Sequence, residues 1–400
     1  MKNAPIARLG DVFEFQNGRG FKKSEWRESG LPIIRIQNLN DSSAPFNHYD
    51  GEYDPKIEVN SGDLLFSWSG TVGSSFGPHL WQRQKGVLNQ HIFRVLFLED
   101  LDKRYALHAL QFITAEIEKQ VSGAVGLVHI TKGKLKEFTI PLPPLQEQKR
   151  IVAILDEAFE GIDKAIANTE KNLANAKELF ESHLNAVFSK KGEGWVTQAL
   201  GEIADLVDSL HKTPTYIDEG GYPMVRVTDV KGGTLDLTNA RRVDEETYHE
   251  FSKRHKSSIG DLVLSRVGSY GVPVVVETDE PFCLGQNTVF ILPKINPHLL
   301  YYYLISPHAK SQIDGFVAGT TQPTISLKSI KSIAVPYPPQ DDQETIVANL
   351  KSSSLQLETL LKVGRQKSSC LAELKQSILQ KAFNGELTSH PDKELAKAGA

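Results

Sequence analysis

The apolar positions of the chain fall into two kinds of pattern, and each kind occurs twice. Between 141 and 188, apolar or small residues step by four and three through Ile151, Leu155, Ala158, Ile162, Ala165 and Thr169, then after one stutter through Leu173, Ala176, Phe180, His183 and Val187. Between 336 and 383 the same steps run through Ile346, Leu350, Ser353, Leu357, Leu360, Gly364, Lys367, Leu371, Leu374 and Ile378, blemished at Ser353, Gly364 and Lys367. A seam of this period is the stripe of a coiled coil. Two amphipathic core helices would be the plainer explanation. A stripe so narrow and so long, however, is buried only by a partner of equal length, and the obvious partner is the other copy. Each seam follows a proline pair, Pro143-Pro144 and Pro338-Pro339. Proline fixes φ and pushes the residue before it towards extended backbone, so each pair predicts the end of an extended segment and a sharp helix start.

The copies are one repeat. PLPPLQEQKRIVAIL from Pro141 and PYPPQDDQETIVANL from Pro336 align at an offset of 195, which places Gln148 on Gln343 and Leu155 on Leu350 and still holds at Phe188 and Phe383. The second kind of pattern is short, strand-like and bounded by turn residues. Leu9-Gly10-Asp11-Val12 corresponds to Leu200-Gly201-Glu202-Ile203, and Pro32 to Ile36 corresponds to Pro223 to Val227, both at an offset of 191. The Gly-Asp turns at Gly62-Asp63 and Gly260-Asp261 correspond at 198, each opening a strand that runs into a glycine loop, SWSGTVG at 67–73 and SRVGSYG at 265–271. Ile130 and Leu135-Lys136 then match Ile325 and Ile330-Lys331 at 195. The predicted order is α/β head, long helix, α/β head, long helix, with boundaries at 1–140, 141–190, 191–335 and 336–388 and a tail at 389–400 expected to be disordered. The second head gains seven residues between the Arg226 strand and the Gly260 turn and loses three before its helix. The scaffold repeats and the loops do not, which suits a reader of two different half-sites; loops that drifted after an old duplication are the plainer reading.

Four hundred residues exceed the usual single domain, which agrees with more than one core. No uninterrupted apolar run approaches the about 20 residues of a membrane span, and MKNAPIARLGD lacks a signal-peptide core, so a cytoplasmic location is expected. Cys283 and Cys370 stand apart from any CxxC or histidine pattern and read as packing residues in a reducing compartment. The net charge of −4 divides as +1, −2, −3 and 0 over 1–140, 141–194, 195–335 and 336–400. No segment offers a basic footprint, so a DNA-binding role would need local patches or associated subunits to neutralise phosphates.

Dinucleotide, phosphate-loop, zinc-helix and amino-methyltransferase signatures are absent. The chain holds no GxGxxG, GxxxxGK[ST] or HExxH motif, and no Asn-Pro-Pro-Tyr or Asp-Pro-Pro-Tyr of an amino-methyltransferase. What remains is polar and aromatic material at strand ends. In the first head these candidates are Arg19, Phe21 and Lys22, then Arg35, Gln37, Asn38 and Asn40, then Ser67, Trp68, Ser69 and Thr71, and finally Asn89, Gln90 and His91. The second offers His211 and Lys212, then Arg226, Thr228 and Asp229, then Arg266, Ser269 and Tyr270, then Gln286 and Asn287, and Thr320, Thr321 and Gln322. Arginine forks onto guanine, Asn and Gln pair with adenine, and Ser or Thr serves phosphates or either base, so the set is a DNA-reading palette. Each of these residue types is also at home in a turn or on an ordinary surface. Arg35 and Arg226, being equivalent, suit one shared structural or phosphate task better than the reading of different bases.

With PLPPLQEQ, PYPPQDDQ, the IVxxL helix openings and Ala382-Phe383-Asn384-Gly385-Glu386-Leu387 in place, nearly the whole chain closely resembles the specificity subunit, HsdS, of type I restriction-modification systems. The first helix end, 187–193, is a looser version of the closing signature, and Asp341-Asp342 departs from the Gln-Glu of the first junction. The resemblance implies an α+β fold, with two target-recognition domains at opposite ends of an antiparallel coiled coil and a pseudo-twofold internal repeat. It also implies a non-catalytic DNA reader, each head recognising half of a bipartite site across an unread spacer. The implied partners are double-stranded DNA, two HsdM adenine-N6 methyltransferase subunits, which bind S-adenosylmethionine, and the ATP/Mg-dependent HsdR. This chain itself would bind no cofactor or metal. About 40 helical residues at about 1.5 Å each give a strut of about 60 Å, nearly two turns of B-DNA, which fits a split site. A two-headed protein–protein adaptor with a coiled-coil spacer is the alternative from another class.

Overall fold

A computed structural model of the chain describes residues 4–71, 74–121, 127–190, 192–317 and 323–387. The tail at 389–400 lies outside them. The chain divides into two compact units, Met1–Thr169 with Gln366–Ala400, and Glu170–Arg365. Each unit contains one end of both long helices, Leu145–Ser189 and Gln340–Phe383.

In the first unit, strand Ile6–Arg8 pairs antiparallel with Thr139–Pro141, tying the start of the head to its end. The main sheet is antiparallel, in the order Phe13–Asn17, Ile92–Phe97, Leu64–Ser67, Gly77–Leu80. Its strand after the Gly-Asp turn is buried at every position, and apolar through Leu64, Leu65 and Phe66, because both faces are covered. Leu64 and Phe66 join the core that holds Phe13, Phe15 and the buried side of helix Lys103–Val121, whereas Leu65 turns to a second core with Ile34, Leu88 and Trp81. The second sheet has the order Asn47–Tyr49, Leu31–Ile34, Gly86–Leu88, Glu58–Val59, and its central pair is parallel with Ile33 opposite Val87.

The second unit repeats this plan. Val196–Ala199 pairs with Ala334–Tyr337, and the main sheet runs Ala204–Asp208, Thr288–Pro293, Leu262–Ser265, Pro273–Val275. Leu262 and Leu264 face one core while Val263 faces another. The parallel pair recurs as Tyr222–Val225 with Cys283–Leu284. The Gly-Asp turns match bond for bond. Gly62 and Gly260 both hold positive φ, near +91° and +93°, where a side chain is strained. Asp63 and Asp261 accept from the backbone N–H of Asn60 and Ser258, each at 2.8 Å. The seven-residue gain is divided between the hairpin Val230–Lys231/Thr234–Leu235, which precedes strand Arg241–Val243, and helix Glu245–Phe251, which stands where the first unit has the 3-10 turn Pro55–Ile57. The single helix Lys103–Val121 is replaced by two, Pro297–Leu304 and Pro307–Gly315, divided at Ser306-Pro307.

Both long helices start directly after their proline pairs, and the repeated glutamine shows why the junction is sharp. Gln148 is 2% exposed; its Nε2 donates to the Pro143 carbonyl (2.8 Å) and its Oε1 accepts from the backbone N–H of Asp102 (2.9 Å), the residue whose carboxylate caps Lys103–Val121. Gln343, 5% exposed, donates to the Pro338 carbonyl (3.1 Å) and accepts from the backbone N–H of Asn296 (2.8 Å), which caps Pro297–Leu304. One amide thus ties the turn at the proline pair to the first turn of the head's own helix, once in each unit.

Segments of the two helices pair antiparallel within each unit. In the first, Lys375 reaches Asp163 at 2.7 Å and lies over the Phe159 ring at 4.9 Å. In the second, a Cβ on Gly364 would lie 2.5 Å from Leu173, so the glycine is the point of close approach and not a blemish. The seam differs from the sequence pattern in one column. Leu357, Gly364, Leu371 and Ile378 face inward as expected, but Leu360 (55% exposed), Lys367 and Leu374 (47%) face solvent. Leu361, Ser368 and Lys375 are half-buried in their place. Positions three and four residues away flank the same face of a helix, and here the fourth is the one turned inward. Leu184 is likewise buried where the pattern placed His183. Cys283 packs in the core, whereas Cys370 is exposed and packs nowhere.

Candidate nucleic-acid interface

Three chain segments meet at one end of the main sheet in each unit, held by equivalent backbone bonds. The N–H of Trp68 donates to the His91 carbonyl (3.2 Å) and that of Arg266 to the Asn287 carbonyl (2.8 Å). The carbonyls of Trp68 and Arg266 accept from Ile130 and Ile325, each at 3.0 Å. Asn89 donates to the Ile34 carbonyl (3.0 Å) and Gly285 to that of Val225 (2.8 Å). Ser67 and Ser265 are fully buried, and their hydroxyls donate to the carbonyls of Ser69 and Ser269, closing the two glycine loops alike.

In the first unit the convergence is aromatic. Trp68 stacks on Phe93 (centroids 6.0 Å apart), lies 5.3 Å from His91 and 6.2 Å from His129, and donates its indole N–H to the Gln90 carbonyl at 3.0 Å. Gln90 Nε2 contacts His91 Nε2 at 3.2 Å, while Gln90 Oε1 and His91 Nδ1 are buried without a hydrogen-bond partner. Arg19 bridges to Asn89 through the backbone, and its guanidinium lies over the rings of Phe21 (4.9 Å) and Tyr49 (5.1 Å) and pairs with Glu25. Thr71 is exposed, and its carbonyl caps the turn at 74–76.

In the second unit the same frame carries polar groups. Arg266 donates from Nη1 to Asp208 (2.6 Å) and from Nε to the Ile325 carbonyl (3.3 Å). Asn287 is the one non-glycine residue with positive φ among the described residues, near +70°, a conformation that asparagine tolerates better than most. Gln286, Asn287, Arg226, Thr228, Thr213 and Tyr216 are among the residues lining an open cavity of about 260 Å³. Ser269 is exposed in the glycine loop. Tyr270 donates to Asp314 at 3.0 Å, a bond that raises the pKa of its hydroxyl.

Several candidates turn inward. Asn38 is buried and accepts from the Arg35 N–H (3.1 Å) while donating to the carbonyls of Ala44 and Pro45, and its equivalent Asp229 accepts from the Arg226 N–H (2.9 Å). Both are turn caps, which accounts for an acidic residue at one of them. Ser67 and Ser69 are likewise buried. Arg226 is folded back onto Asp229 through Nε and Nη2, both at 3.1 Å, and Thr228 donates to the same carboxylate at 3.1 Å. Arg35 lies over Trp26 (5.2 Å) and donates to Asn47 (3.1 Å). Lys22, Gln37 and Asn40 are exposed, Lys22 donating its backbone N–H to Glu25 at 2.7 Å and Gln37 donating to the Pro45 carbonyl at 3.3 Å. His211 contacts Asp208 (3.1 Å), and Lys212 pairs with Glu250. Thr320, Thr321 and Gln322 lie outside the described residues. Sequence reasoning passed over His129 and Tyr49; the match of Ile130 with Ile325 was the available signal for the residue just before it.

Residues 1–175 and 192–363 each match the model of one protein family, the type I restriction modification DNA specificity domain. The chain belongs to this family. It is 26% identical over 413 residues to the type I restriction enzyme EcoBI specificity subunit of Escherichia coli, across 95% of this chain and 85% of that protein. It is 24% identical over 405 residues to the MjaVIII specificity subunit of Methanocaldococcus jannaschii, across 96% and 92%. Its fold is that of a chain in a solved structure described as the basis of complex assembly and conformational transition of the type I R-M system, with a TM-score of 0.73 and 22% identity over 96% of this chain and 98% of that one. Two specificity domains and two long helices are therefore its fold class. Among the described residues no group of three His, Cys, Asp or Glu is placed to hold a metal, and no helix is long and apolar enough to cross a membrane.

Proposed function

We propose that this chain is the non-catalytic DNA sequence-specificity subunit of a type I restriction-modification complex. Each of its two specificity domains would read one half of a bipartite site, and the helix pair would set the unread spacer. The reading rests chiefly on one observation, the double match to a DNA specificity domain on a scaffold whose hydrogen-bond frame repeats while its exposed side chains do not. Strand-end residues in the three converging segments, with Arg19, Gln286 and Ser269 beside them, are the candidate contacts. Asn38, Ser67, Ser69 and Asp229 instead maintain the turns. A chain of net charge −4 would leave phosphate neutralisation largely to its partners. Those partners are two adenine-N6 methyltransferase subunits, which would bind S-adenosylmethionine, and restriction subunits, which would use ATP and Mg²⁺.

Reconstitution tests this. The purified chain alone should transfer no methyl group, and with a cognate methyltransferase subunit it should form a complex of two methyltransferases to one chain that methylates only DNA carrying the site. Methyl transfer by the isolated chain, or stable protein partners with no DNA binding, would contradict the proposal; the second result is what an adaptor would give.

A further inference from the structure

We infer that base identity in each half-site is decided at three frame-equivalent positions: Trp68, His91 and His129 in the first unit and Arg266, Asn287 and Thr324 in the second. This rests on the DNA-reading function proposed above and narrows it to particular side chains.

The equivalence comes from the bonds and not from sequence similarity. The two carbonyl-to-amide bonds that fix Trp68 against His91 and Ile130 recur at Arg266 against Asn287 and Ile325. His129 stands opposite Ser69 in a strand pair, and Thr324 bridges to Val267 at the same edge. One neighbour of each position is the same in both units, Ser67 and Ser265, Gln90 and Gln286, Ile130 and Ile325. Both serines and both isoleucines are buried and hold the frame. The three positions beside them change chemistry completely, from an indole and two imidazoles to a guanidinium, an amide and a hydroxyl.

The side chains are also prepared for contact. Phe93 on one face and the Gln90 carbonyl at its N–H fix the Trp68 ring, and His129 beside it is exposed. His91 Nδ1 and the adjacent Gln90 Oε1 are buried and unpaired. An unpaired buried polar atom is costly, and turning the His91 ring or the Gln90 amide outward to a base edge offering a donor or acceptor would satisfy it. In the second unit Asp208 and the Ile325 carbonyl orient the Arg266 guanidinium, and Asn287 opens onto the cavity beside Gln286. An arginine and an asparagine side by side offer forked contacts to guanine and adenine. An indole with imidazoles offers apolar contact to the thymine methyl and single hydrogen bonds.

The test exchanges residues between positions held by the same backbone hydrogen bonds; of the exchanged residues Asn287 alone holds positive φ, a conformation that histidine also tolerates better than most. His91→Asn, His129→Thr and Asn287→His are assembled with the methyltransferase subunit, and methylation is read over a library in which every base of both half-sites is varied. Thermal midpoint and parental subunit ratio certify each complex, and a variant that fails to assemble leaves the other two to decide. The expected result is a loss of discrimination of about tenfold or more at one or two base pairs, in one half only, with the Asn287 variant changing the opposite half from the two histidine variants. Parental preference at every base pair in the assembled variants, or an equal loss in both halves, overturns the inference. If the parental complex itself shows no sequence preference, the proposed function has failed and not this assignment.

Discussion

Gln148 and Gln343 show what one residue does for the junction between head and helix. Each is a buried primary amide that both donates and accepts, and neither function can be dropped without stranding a backbone group. Gln148→Glu keeps the acceptor and loses the donor, and adds a buried charge; Gln148→Ala loses both bonds. Each substitution should cost about 1–3 kcal/mol, seen as a fall of several degrees in the thermal midpoint, whereas Gln37→Ala on the surface should leave the midpoint unchanged. Midpoints equal to the parental value in both Gln148 variants would mean that the amide is not a clasp. The match of the two glutamines was legible in the sequence. Their role was not, because Asp102 and Asn296 lie 46 and 47 positions away along the chain and only folding brings them near. Asn38 misled for a related reason. A short polar amide after a strand suits base reading and turn capping equally, and the deciding fact, the two carbonyls it meets at Ala44 and Pro45, is a matter of loop path.

At the scale of elements, the long helices and their starts were readable because proline and a period near 3.5 are local signals. Strands beside the Gly-Asp turns were readable too, since a run such as Leu64-Leu65-Phe66 is apolar throughout when both faces are covered. The second column of the seam was not. Leu360 is as apolar as Leu361, and only the partner helix decides which of them faces inward. The helices, of 45 and 44 residues, also permit a test of their role as a spacer. One heptad can be inserted in each, after Glu170 and after Gln366, between the Asp163–Lys375 pair and the Leu173–Gly364 contact. Seven residues preserve the seam and add about 10 Å, or about three base pairs. Methylation of a library with fixed half-sites and graded spacers should then peak at a spacer about three base pairs longer, with lower affinity because the duplex must twist to present the second half. An optimum that stays at the parental spacer would mean that the helices do not set the distance.

For the whole molecule the central feature is duplication with divergence. The turns, the main sheets, the clasping glutamines and the strand-end frame recur, whereas the hairpin at 230–235, the divided helix at 297–315 and the side chains on the frame belong to one unit alone. A shared scaffold with private surfaces is expected of a protein that presents one fold to two different sequences. The net charge of −4 is expected of one that does so only within a larger assembly. The most direct test of this account is a genome-wide map of N6-methyladenine in cells carrying this gene with its methyltransferase partner, set against the same cells lacking it. The account predicts one added motif made of two short specific halves separated by a run of unread base pairs, with a methylated adenine in each half. A single uninterrupted motif, or maps that do not differ, would contradict it.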